Sequence, residues 1–242
     1  MSFVGGVGYS NIDLIYSGLD RLPDKGEEIF ARGFSMQFGG GIPATMINLS
    51  RLGVESRIIT FAGHDLFSEF VKKTLNSYPV KTVNLYKGNK MPVVLSSTLL
   101  YCGDRSFISY TDGMDLNDAV MDEVYENLKG AYVVDMHVGF LDVYKRLKKD
   151  GCIQIFDTGW EDDLTLEKYK DYLEIADYYI PNQKEAMKIT GTSSVEEAAD
   201  ILSEFFSDVT IKMDKEGCLL KNKDGIKTVS YTHLRAHETA AN

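Results

Sequence analysis

Two short stretches hold residue types suited to a polyhydroxylated or anionic ligand. Phe38 to Gly53 reads "FGGGIPATMINLSRLG", with Gly39, Gly40 and Gly41 directly before an amphipathic run. Glycine is costly to order, so such a run implies that the backbone comes close to something. If Gly41 or Ile42 opens a helix, no Ser, Thr, Asp or Asn side chain stands ready to bond its first amides. Those N–H groups have no intrahelical partner and can take a ligand oxygen. The same residues also fit a tight strand-to-helix turn in which glycine is the cap. Asn11 and Asp13 follow the first apolar run, where a parallel strand would end and clefts open. At i and i+2 of an extended segment they point the same way. The acid can then accept hydrogen bonds from sugar hydroxyls. An Asx turn is the local alternative.

The second stretch is "PNQKEAMKITG", with Asn182 three residues before Glu185. This is the spacing of a capping box, Asn as cap and Glu reaching back. The same carboxylate, turned to a cleft, can organise Mg²⁺ through water. Other patterns exclude chemistry. Gly6 and Gly8 fit the start of a dinucleotide fingerprint, but Asn11 stands at the third glycine position and no helical pattern follows, which argues against a nicotinamide site. His64 and His137 match no ligand spacing. No Ser-His-Asp or Cys-His arrangement can be assembled.

The elements that would position these residues alternate. Apolar runs at "SFVGGVG", "SRIITFAG", "AYVVDMHVG", "CIQIFDTG", "DYYIPN" and "VTIKMD" read as strands. Helical patterns lie between most of them, one capped by Asp65 and another placing Ile42, Met46 and Leu49 on one face, with Pro43 in its first turn and Gly53 as a stop. This predicts an α/β fold of three layers, a mostly parallel central sheet with helices on both faces. Two regions interrupt the alternation: 12–38 holds two strand-like pieces around a polar turn, and 92–110 is a hairpin turning at "CGDR". Together they predict a small β lid. "GCLLKN" closes as a hairpin, and the following "GIKTV" looks like a strand that never develops. The tail 230–242, "SYTHLRAHETAAN", is expected to be non-native and outside the fold. One domain is expected over 1–229.

Composition narrows the classes. The 242 residues are 44% hydrophobic and 26% charged, with net charge -10. That is globular and argues against nucleic-acid binding. The cysteines Cys102, Cys152 and Cys218 are scattered and odd in number, which fits a reduced compartment rather than a disulfide framework. No apolar run reaches membrane-spanning length, and the N-terminus lacks signal-peptide character. A cytoplasmic location is expected.

In order, "SNID", "LPDKGE", "FGGGIPATMINLSRLG", "FAGHDLFSEFV", "CGDRSF", "VVDMHVG", "IFDTGW", "IPNQKEAMKITG" and "IKMDKEGCLL" resemble the PfkB (ribokinase-like) family of carbohydrate kinases, from about Phe3 to Leu220. The resemblance implies an ATP- and Mg²⁺-dependent transfer of the γ-phosphoryl group to a sugar hydroxyl, under a lid that often forms a dimer contact. It implies that Asp13, with Asn11, holds sugar hydroxyls, and that Gly39, Gly40 and Gly41 bring the backbone to the sugar. Asn182 and Glu185 would organise Mg²⁺ and the phosphates. Lys212 to Gly217 would lie along the nucleotide, and Arg105 would reach the substrate from the lid. Three departures stand out. Ala44 occupies the position of the family's sugar-binding Asn, with Asn48 one turn further on the same face. Asp214 stands where the family often has Gly. The "GAGD" motif, source of the catalytic base and of an anion hole, is absent. The chain is therefore expected to be a C-terminally truncated sugar kinase with little activity. A sugar-binding pseudo-kinase and a nucleoside kinase on the same fold are the alternatives.

Overall fold

The computed structural model describes residues 3–230. The expectation for the tail thus lies outside the described residues, apart from Ser230. The chain divides into two compact units, Met1–Val134 and Asp135–Asn242.

The first unit runs β1 (Phe3–Val7), β2 (Asn11–Ser17), β3 (Gly33–Gly39), α1 (Gly41–Arg51), β4 (Ser56–Thr60), α2 (Leu66–Asn76), β5 (Lys81–Asn84), β6 (Val94–Tyr101), β7 (Asp104–Tyr110), α3 (Asp118–Leu128) and the start of β8 (Ala131–Met136). Its central sheet has the strand order β8-β1-β4-β5. β4 pairs in parallel with β1 and with β5. Parallel neighbours need crossovers, and helices supply them. α1 contributes Ile42, Met46 and Ile47 to a core shared with Ile12, Ile58, Val71 and Leu75. α2 begins where expected: Asp65 Oδ1 accepts from the amides of Phe67 and Ser68, both at 3.0 Å.

The predicted lid strands form a separate sheet of order β3-β2-β6-β7. β2 pairs antiparallel with β3 and parallel with β6, and β6 and β7 form the hairpin. Side chains alternate between faces, and the register sorts them by chemistry. One face carries Ile12, Leu14, Phe38 and Leu95, which belong to or pack on the core. The opposite face carries Asn11, Asp13, Ser96, Thr98, Ser109 and Arg105.

The second unit holds α4 (Leu141–Lys149), β9 (Ile153–Phe156), α5 (Leu166–Ile175), β10 (Tyr178–Tyr179), α6 (Gln183–Thr190), α7 (Val195–Leu202), β11 (Val209–Lys212), β12 (Cys218–Asn222) and β13 (Gly225–Val229). β9 and β10 are parallel neighbours, while β11, β12 and β13 make an antiparallel sheet. The sequence reading needs two corrections. β5 was not expected, because "KTVN" is short and offers one bulky apolar residue. "GIKTV" does develop: it is β13, an exposed edge strand paired along its length with β12. Among the described residues no helix is long and apolar enough to cross a membrane.

Candidate functional site

The first cluster forms where β2, β3 and α1 meet. Asn11 Nδ2 donates to Asp13 Oδ1 at 2.8 Å, so the two side chains do share a face. Ser96 on β6 lies behind them, its Oγ 3.3 Å from Asn11 Oδ1 and 2.8 Å from Ser109 Oγ. This chain of hydroxyls fixes the orientation of the Asn11 amide. Burial raises the Asp13 pKa, against the opposing pull of Arg105 and of the Asn11 hydrogen bond.

The three glycines have three different surroundings. A Cβ on Gly39 would lie 2.8 Å from Asp13 Oδ2, so the bare Cα makes room for the carboxylate. Gly40 has φ +105°, and a Cβ there would lie 2.9 Å from the Tyr9 carbonyl oxygen. Only Gly41 faces open space, with nothing within 4 Å of a Cβ position. Gly40 caps α1 with no side-chain hydrogen bond and no acid in the first turn. Ala44 N donates to Gly40 O at 3.0 Å, and Pro43 has no N–H, so Gly41 and Ile42 are left as the first-turn amides with no intrahelical acceptor. Ala44 and Asn48 both lie on the exposed face of this helix. Arg105 sits on β7 with its guanidinium over the Phe107 ring, 5.6 Å from the centroid.

The second cluster belongs to the second unit. Asn182 caps α6 through a reciprocal pair: Glu185 N donates to Asn182 Oδ1, and Asn182 N donates to Glu185 Oε2, each at 2.9 Å. The capping box and the candidate ligand are thus the same carboxylate. Lys212 joins it through a parallel bridge to Asn182, its amide bonded to the Pro181 carbonyl at 2.9 Å. Lys212 Nζ reaches Asp157 Oδ2 at 2.7 Å. Burial raises the Glu185 pKa; the Asn182 amide works against this, Asp157 adds to it and Lys212 opposes it. Burial also raises the Asp157 pKa, with Lys212 opposing. Gly217 takes φ +96°, closing the turn that follows Lys212. Sequence reasoning did not single out Asp157. Its signal was an acid at the end of a buried strand, "IFDTGW", next in the sheet to the strand that leads to Asn182.

Among the described residues no group of three or more His, Cys, Asp and Glu side chains could hold a metal alone. The residues here nevertheless suit Mg²⁺. That ion keeps several waters and uses one or two carboxylates plus phosphate oxygens, and Glu185 and Asp157 offer two carboxylates that sense each other. Lys212 adds a cation of the kind phosphates attract. A groove of about 780 Å³ between the β5–β6 loop and α3 is lined by none of the predicted site residues.

Parallel strands with crossover helices and a separate β sheet bearing a polar face make a ribokinase-like α/β fold. Residues 1–233 match the pfkB family carbohydrate kinase, and the chain belongs to that family. It is similar to a Pyrococcus horikoshii protein named "Putative sugar kinase", 26% identical over 211 residues, covering 79% of this chain. The chain spans 66% of that relative's length. Among solved structures, ribokinase from Giardia lamblia superimposes with a TM-score of 0.80 at 18% identity, over 97% of this chain and 76% of that one. Arabidopsis thaliana ribokinase, solved with ribose and ATP, gives 0.72 at 21% identity, over 95% and 78%. At these identities the structural likenesses establish the fold.

Proposed function

We propose that this chain binds a sugar through Asn11, Asp13 and the amides at Gly41 and Ile42. ATP with Mg²⁺ is then held through Asn182, Glu185, Lys212 and Gly217. The observation that carries this reading is the Asp13 carboxylate. Asn11 pins one of its oxygens, and the other rests on the bare Cα of Gly39. A partly desolvated acid held this way is a fixed acceptor for hydroxyl donors. The reaction would break the bond between the γ-phosphorus and the ADP oxygen and form one to the sugar hydroxyl, whose proton must leave. When bound, Mg²⁺ supplies charge neutralisation at the phosphates. Glu185 orients its ligands, and Lys212 offers a cation to the phosphate oxygens. The chain contains no Gly-Ala-Gly-Asp segment, so these residues bind both ligands without supplying the base, and turnover by this chain stays at background. The β2/β3/β6/β7 sheet acts as the lid. Exposed Phe34, Met36 and Ile108 on its apolar face support pairing of two copies through it.

Calorimetric titration with a panel of pentoses, hexoses and polyols, with Asp13→Asn alongside, tests the acceptor reading. At least one sugar should bind, and the substitution should weaken it about tenfold or more, as loss of hydrogen bonds to a charged group does. Failure of every sugar to bind would overturn it. ADP release above background in a coupled assay would overturn the inactivity.

A further inference from the structure

We infer that the acceptor is a sugar carrying an anionic group, a sugar acid or a sugar phosphate, with Arg105 as the residue that selects it. This rests on the reading that Asp13 holds the sugar. The strand registers place two charged residues on the polar face of the lid sheet, Asp13 and Arg105. Asp13 is level with Ser96 and Ser109, and Thr98 and Phe107 form the next row. Arg105 is one row further out, opposite Leu100. Its side chain is exposed, as is all of β7. The guanidinium lies over the Phe107 ring and so leans back along the sheet towards the Asp13 row. Among the described residues Arg105 closes no salt bridge with an acid, although Asp13 feels its charge.

An unpaired guanidinium and a hydroxyl-accepting carboxylate therefore share one polar face, near enough to interact but not closed on each other. Between them lie the Ser96 hydroxyl and the Thr98 hydroxyl, which is buried and lacks a hydrogen-bond partner. A ligand that satisfies both charged ends has hydroxyls at one end and a carboxylate or phosphate at the other. A planar guanidinium takes either anion through two parallel N–H bonds. The Phe107 ring restricts where it can point, so less order is lost when the anion arrives. A neutral sugar would leave the guanidinium without its partner.

The test titrates the full 242-residue chain with gluconate, glucose 6-phosphate and glucose, comparing wild type with Arg105→Gln and Arg105→Lys. Wild type should bind one or both anionic sugars at least about tenfold tighter than glucose, the scale of a charge-assisted hydrogen bond. Which anion wins identifies the source of the charge. Arg105→Gln should abolish that ratio, while Arg105→Lys keeps part of it. Inorganic phosphate alone serves as a control for anion binding without hydroxyls. Equal binding of glucose and both anionic sugars, or a ratio untouched by Arg105→Gln, would overturn the inference while leaving the sugar reading intact. Binding of none of the three overturns the inference together with that reading.

Discussion

Gly39, Gly40 and Gly41 show how one motif can hold three physical reasons. The first gives way to a carboxylate, the second adopts a left-handed backbone against a carbonyl oxygen, and the third has empty space above it. Alanine scanning separates them. Gly39→Ala places a methyl 2.8 Å from Asp13 Oδ2, and such overpacking costs about 1–3 kcal/mol. It also turns the carboxylate away, so sugar affinity should fall with stability. Gly41→Ala meets nothing and sits in a helix, where removing glycine from the unfolded ensemble stabilises by about 0.4–1 kcal/mol. If the ligand approaches this amide, Gly41→Ala should raise the urea midpoint while weakening sugar binding. A variant that binds sugar normally would show that Gly41 serves only the helix start. The sequence displays the glycine anomaly plainly but not its causes, since Asp13 and Tyr9 come from a different strand and loop. Asp157 was hidden for the same reason: its partner Lys212 is distant in sequence and is met only in the fold.

At the scale of elements, legibility followed burial. α1, α2 and the parallel strands other than β5 bury an apolar face, and the sequence pattern located each of them. β13 is exposed along its whole length, so no alternation marks it, and only its ladder to β12 defines it. β5 is too short to show a period. Helix starts were legible where a cap lies within three residues of its target, as at Asp65 and Asn182. The Asp65 cap yields a prediction with a pH signature. Burial alone would raise its pKa, but bonds from the Ser68 hydroxyl and amide and from the Phe67 amide outweigh it, and the net shift is downward from 3.8. A depressed carboxylate contributes stability above its unfolded pKa and loses it as pH falls through the lower folded value. Asp65→Ala should therefore cost about 1–2 kcal/mol near neutrality. The gap from wild type should narrow in urea melts as pH falls below 3.8 and close once the folded-state carboxyl, whose pKa lies lower, is protonated as well.

For the molecule as a whole, carboxylates divide by role. Those that serve structure, Asp65 and Asp112 among them, have lowered pKa values. The three at the candidate site, Asp13, Asp157 and Glu185, all have raised ones, each chiefly through burial. A raised carboxylate pKa means that the folded state binds the proton more tightly. Stability then falls as pH climbs from the unfolded value, 3.8 for Asp13 and 4.5 for Glu185, through the higher folded one. At neutral pH the ionised groups therefore work against folding, the pattern expected where function is retained at the expense of stability. Neutral isosteres expose this. Asp13→Asn should unfold at the same or higher urea concentration than wild type at pH 7, with the difference shrinking as pH falls through the raised folded value towards 3.8 and the wild-type acid protonates. Glu185→Gln should behave alike, because its amide oxygen can still accept from the Asn182 amide and keep the capping box closed. Each should lose the stabilisation that its ligand confers on wild type by mass action, a sugar for Asp13→Asn and ATP with Mg²⁺ for Glu185→Gln. A Glu185→Gln chain that melts far earlier than wild type yet retains the full shift with ATP and Mg²⁺ would make the carboxylate a helix cap alone, and would move the phosphate site away from α6.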